Sequence, residues 1–190
     1  EIQRFLIQAK AEGYFELFLL ELTTGLRRGE LLALQWDDLN LETGELKITK
    51  QVYRTKEDGL LISQPKTKSS IRTVSLPQPL LAILKEYREG INSRWMFPSP
   101  LKEDSPLDPA YIRTRLHLIL EHAQCKQIRF HDLRHPYVKH TTKIFSLRSM
   151  AFQAQAYPDA RRKTRGACQL HRGGQSQSPV RPLCNRKRFS

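Results

Sequence analysis

The 190 residues carry 32 Lys and Arg against 19 Asp and Glu, a net charge of +13, with 39% hydrophobic residues. This is enough chain for one domain with a real core, and no apolar run reaches membrane-span length, since the strongest, Tyr14 to Leu22, is interrupted by Glu16 and Glu21. The chain opens at Glu1 without an initiator Met or a basic-then-apolar signal pattern, already inside a helical period, and reads as a fragment or partial reading frame.

Residues 1–12 form an amphipathic pattern, with Ile2, Phe5, Leu6 and Ala9 on one face. Residues 14–24 are nearly all apolar, as in a helix buried on most sides, and Gly25 is a plausible stop. A short helix from Gly29 to Gln35 leads to Trp36 and a polar corner at Asp37 and Asp38. The period then changes: Leu46, Ile48, Lys50 and Val52 alternate with Lys47, Thr49, Gln51 and Tyr53, as in a half-buried strand. Turn signals at Thr43-Gly44 and Asp58-Gly59 bracket it. Leu60–Ser63 and Arg72–Leu76 read as further strands around a polar loop, Pro65 to Ser70, giving a small antiparallel sheet of three strands. Pro77 and Pro79 introduce a helix over Leu80–Glu89. A proline-punctuated connector spans 91–109, and another amphipathic helix runs from Ala110 to Ala123. Phe130-His131-Asp132-Leu133-Arg134-His135 begins a further helix. The fold class is α+β, mainly helical.

After His135 the texture changes. Residues 1–135 hold 20 Lys and Arg against 18 Asp and Glu; residues 136–190 hold 12 against one, Asp159. The positive excess therefore lies in a stretch without apolar periodicity, rich in Arg, Gln, Ser, Gly and Pro, for which disorder is expected. The division is a folded domain over 1–135 and a basic low-complexity tail over 136–190, foreign to the fold. Cys125, Cys168 and Cys184 read as free thiols in a reducing cytosol, and the pair Cys168 and His171 has no second pair at zinc-finger spacing.

Three stretches carry groups suited to phosphate chemistry. Arginine forks donate two bonds to two phosphate oxygens and stay protonated. A leaving alkoxide needs a general acid, which Lys or His can supply. Arg27 follows the expected helix stop in Thr24-Gly25-Leu26-Arg27-Arg28-Gly29-Glu30; a surface ion pair with Glu30 is the competing reading. Lys66 sits in the strand-to-strand loop, where most lysines are simply solvated. His131 and Arg134, three apart, share a helix face and could meet one ligand or make a structural hydrogen bond.

Together, and in this order, these stretches resemble the tyrosine recombinases, the phage-type integrases, over residues 1 to 135. The resemblance rests on Thr24-Gly25-Leu26-Arg27 ending in Glu30, and on Leu34-Gln35-Trp36-Asp37-Asp38. It also rests on Pro65-Lys66-Thr67 ahead of the strand Arg72 to Leu76, and on His131-Asp132-Leu133-Arg134-His135. It implies the DNA breaking-rejoining catalytic fold. It implies that Arg27 and Arg134 clamp the scissile phosphate, Lys66 protonates the leaving 5′ oxygen, and His131 assists in proton handling and orientation. Glu30 would support the site and His135 would buttress the helix. A tyrosine would attack, leaving a 3′-phosphotyrosyl link, with neither ATP nor metal required. The implied partner is double-stranded DNA in a bacterial or phage-derived cytoplasmic setting, near the nucleoid. Intact relatives assemble as tetramers on paired sites, often exchanging C-terminal segments.

The pattern then departs from the family. Pro136 follows His135, Leu170-His171 lacks the expected glycine and helical setting, and the later tyrosines are Tyr137 and Tyr157. Tyr137 is too close to Arg134, and Tyr157 is followed by Pro158 in polar sequence, so no nucleophile is assigned. A frameshift or junction near codon 136 would account for the change. Two functions follow: site-specific recombination by descent, or a catalytically dead DNA-binding fragment of a truncated or frameshifted gene.

Overall fold

The computed structural model describes residues 1–134 except 56, 58, 65–69 and 103. The expected tail, Tyr137, Tyr157, Cys168, His171 and Cys184 lie outside the described residues, as do Lys66 and His135. Helix α1 (Ile2–Ala11) buries Phe5, Leu6 and Ala9 on the face its period requires. Helix α2 (Phe15–Thr24) buries every residue from Leu17 to Thr24, matching its nearly continuous apolar run. Phe5 meets Phe18 edge-on, with ring centroids 5.0 Å apart. Helix α3 (Arg28–Leu32) is short and is followed by a 3₁₀ turn at Trp36–Asp38.

The sheet region keeps the expected antiparallel pairing but divides differently from the expected three strands. The long alternating segment becomes two strands, β1 (Glu45–Ile48) and β2 (Gln51–Arg54). β2 pairs with β3 (Leu60–Ser63), Val52 opposite Ile62, while β1 pairs with β4 (Arg72–Ser75), Leu46 opposite Val74. The result is two two-stranded ladders. The change of partner falls at Thr49 and Lys50. By alternation Lys50 stands on the inner side with Ile48 and Val52, and its ammonium reaches Gln35 Oε1 at 2.7 Å and both Asp38 oxygens at 3.1 Å. A cation on an inward face needs such acceptors.

Helix α4 (Gln78–Glu89) buries Leu80, Leu81 and Leu84, and α5 (Pro109–His122) buries Ile112, Leu116, Ile119 and Leu120. Asp108 caps α5 by accepting the N–H of Ala110 at 2.7 Å. The expected helix start after Phe130 is a 3₁₀ helix, Phe130–Arg134, anchored by buried Phe130 and Leu133. Phe130 packs 6.2 Å from Phe18, seating this segment on α2. Among the described residues no helix is long and apolar enough to cross a membrane.

Candidate functional site

The site grows from the C-terminal end of α2. The hydroxyls of Thr23 and Thr24 donate back to the carbonyls of Leu19 and Leu20, at 2.7 and 2.6 Å, so these polar side chains are satisfied within a buried helix. Gly25 ends the helix in the left-handed region (φ 60°, ψ 33°), its N–H donating to the Glu21 carbonyl at 2.8 Å. Leu26 is fully buried and pins the turn. Arg27 follows in an extended conformation (φ −69°, ψ 143°) with 57% of its side chain exposed. The chain thus alternates from an anchored leucine to an outward arginine within one step.

Glu30 sits beneath Arg27 and is 2% exposed. Its carboxylate accepts the backbone N–H of Arg27 at 3.0 Å and the Arg27 guanidinium at 2.9 Å. It also accepts both terminal nitrogens of Arg72 on β4, at 2.8 and 3.3 Å. Burial pushes this carboxyl up, but the hydrogen bonds from Arg72 and then from Arg27 outweigh it and hold the group below the usual carboxylate range. One buried anion therefore fixes two guanidiniums and the start of α3. Both readings of Arg27 meet here: it is ion-paired with Glu30, and more than half of it still faces solvent.

Arg134 arrives from the far end of the described chain. Its Nε donates to the Gly25 carbonyl at 2.7 Å, tying it to the turn that precedes Arg27. Both expected phosphate-binding arginines thus depend on the three-residue turn 25–27. His131 is exposed and lies three residues before Arg134. In a 3₁₀ helix positions i and i+3 eclipse, so the expected shared face is kept by a tighter helix than anticipated. Lys66 and His135 lie outside the described residues, and their positions relative to this turn are not part of the geometry.

Gly29 permits the close approach that seats α3. A Cβ there would fall 2.6 Å from the Val52 carbonyl of β2, inside any tolerable contact. Sequence reasoning missed three participants. Arg72 was legible only as the first residue of a strand. Gly25 is expected as a helix stop, and its carbonyl serves in addition as the acceptor for Arg134. Glu21 stands in the sequence only as an interruption of the apolar run. The available signal for Glu21 was its place inside a helix expected to be buried on most sides. Among the described residues no cluster of His, Cys, Asp and Glu stands ready to hold a metal ion.

The family model described as the phage integrase family matches residues 5–142. The tyrosine recombinase XerC-like protein of Caldanaerobacter subterraneus subsp. tengcongensis is 34% identical over 168 residues, covering 76% of this chain and 42% of that protein. The ICEBs1 integrase of Bacillus subtilis is 33% identical over 128 residues, covering 60% of this chain and 33% of its own length. The chain thus spans less than half the length of these curated relatives. Among solved structures, the Tn1549 transposon integrase in complex with transposon right end DNA superposes with a TM-score of 0.62 at 17% identity, over 87% of this chain and 63% of that one. XerA recombinase gives 0.54 at 17% identity, over 90% and 63%. These structural likenesses show the fold, helices with small antiparallel sheets. Matched over most of its length, the chain belongs to the phage integrase family.

Proposed function

We propose that this chain is the catalytic domain of a site-specific DNA recombinase that by descent cleaves and rejoins strands through a phosphotyrosyl link. The observation that carries the reading is the bond from Arg134 to the Gly25 carbonyl, which holds one guanidinium against the turn that presents another, Arg27. Arg27 and Arg134 bind the non-bridging oxygens of the scissile phosphate, where each such donor is worth about 3 kcal/mol as charge builds. Glu30 keeps Arg27 in place. Lys66 protonates the leaving 5′ oxygen, His131 assists the proton transfers, and His135 has a supporting role away from the phosphate. The partner is double-stranded DNA; the Tn1549 transposon integrase, which shares this fold, is described in complex with transposon right end DNA and with a circular intermediate DNA. Residues 1–135 form this domain and 136–190 a basic tail, in a bacterial cytoplasmic setting. Neither Tyr137 nor Tyr157 is assigned as the nucleophile.

The test uses a nicked suicide duplex and the full chain. Salt-sensitive binding that Arg27→Ala and Arg134→Ala each weaken is the expected result. A denaturant-resistant protein–DNA adduct reports strand cleavage in addition to grip. Binding unaffected by either substitution overturns the assignment of the site.

A further inference from the structure

Glu21 is a buried titratable group that the phosphate-binding reading leaves unused. It lies in the last full turn of α2, at 0% exposure, and neither carboxyl oxygen has a hydrogen-bond partner among the described residues. A carboxylate in such a place is expensive, and the neutral acid is favoured. Burial raises its pKa to about 8, with Arg134 pulling it down and Glu30 pushing it up. The backbone links the same residues: the Glu21 carbonyl accepts the Gly25 N–H, and the Gly25 carbonyl accepts Arg134 Nε. From the 3₁₀ helix packed on α2 the charged groups are His131, Asp132 and Arg134, of which Arg134 acts on Glu21. The helices α1 and α4, also packed on α2, bury only apolar side chains: Phe5, Leu6 and Ala9 from one, Leu80, Leu81 and Leu84 from the other.

Two carboxyls whose environments push them in opposite directions therefore bear on the arginines. Glu30 accepts four hydrogen bonds and is held below the usual carboxylate range; Glu21, with neither oxygen hydrogen-bonded among the described residues, is pushed up to about 8 by burial. Environments that separate two like groups in this way assign them different work. We infer that Glu21 is a positioning residue for Arg134: as the neutral acid it leaves the guanidinium to a DNA phosphate, and as the anion it competes with that phosphate. Binding and protonation are then reciprocal. A phosphate on Arg134 adds negative charge near Glu21 and raises its proton affinity, so DNA binding takes up a proton when Glu21 is ionised beforehand. The inference rests on the phosphate-binding reading of Arg134.

The test measures anisotropy of a fluorescent duplex with the full chain at pH 7 and pH 9, for wild type, Glu21→Gln, Arg134→Ala and the double variant. Wild-type affinity should fall about fivefold over that range if the bound carboxyl titrates about one unit higher than the free one. Glu21→Gln, which mimics the neutral acid, should show a flat profile. With Arg134→Ala, adding Glu21→Gln should change nothing. A carbon-13 NMR titration of the wild-type Glu21 carboxyl needs no variant. Its midpoint should lie near 8 and move upward when the duplex is added. Matching pH profiles for wild type and Glu21→Gln, or a carboxyl midpoint in the ordinary range, overturn the role of Glu21. Arg134→Ala binding as tightly as wild type at both pH values overturns instead the phosphate-binding reading on which it stands.

Discussion

Replacing Glu30 tests whether one buried anion organises the site. Its carboxylate, 2% exposed, receives four hydrogen bonds between 2.8 and 3.3 Å, from Arg27 and Arg72. Removing one partner of a fully buried ion pair costs about 3–5 kcal/mol. Here the arginine side chains are 57% and 32% exposed, so water recovers part of their solvation and the pair itself is worth less. The first N–H of the α3 cap also loses its acceptor, a further ~1 kcal/mol. The expected loss for Glu30→Ala is therefore about 2–3 kcal/mol, read by urea denaturation of the full chain at pH 7. Glu30→Gln keeps the shape and removes the charge. Because the folded-state pKa is depressed, the charge-dependent part of the stability is present above the unfolded carboxyl pKa. It is lost as pH falls through the folded value. The gap between wild type and Glu30→Gln should thus be full at neutral pH and close in acid. A loss under about 0.5 kcal/mol at pH 7, or a gap that does not change with pH, would refute the account.

Three further outcomes are expected. Gly29→Ala should destabilise by about 1–3 kcal/mol despite alanine's better helix propensity, because its Cβ meets the Val52 carbonyl at 2.6 Å; a stabilised variant in thermal melts would show that α3 and β2 do not approach so closely. Glu21→Leu should outperform wild type increasingly as pH rises. The raised pKa of Glu21 gives stability that is complete below the ordinary carboxyl pKa of 4.5 and lost on approach to 8, so the gap should widen by on the order of 3 kcal/mol between pH 5 and pH 7.5 in urea titrations. Arg134→Gln should reduce the slope of log affinity against log salt for a DNA duplex by about one, and an unchanged slope would place Arg134 off the phosphate.

Much of the helical framework was legible from period alone. The runs that became α1, α2, α4 and α5 have apolar spacings or lengths that admit one economical arrangement, and Gly25 ended α2 where its freedom of backbone conformation is needed. Strand division was harder. Alternation across 46–53 is the same whether one partner or two lie alongside, so the exchange from β4 to β3 at Thr49 and Lys50 left no local trace.

The sequence by itself determined the local chemistry: which residues are arginines, which helix stops at Gly25, and that Arg27, Glu30, His131 and Arg134 belong to one family pattern. Only the tertiary structure decided what those groups lean on. Arg134 reaches a carbonyl 109 residues earlier, and Arg72 reaches Glu30 across 42. Hydrogen bonds and burial depend on distance in space, which local periodicity does not encode. For that reason Glu21, an interruption when read along the chain, is in the folded molecule a buried acid within the field of Arg134.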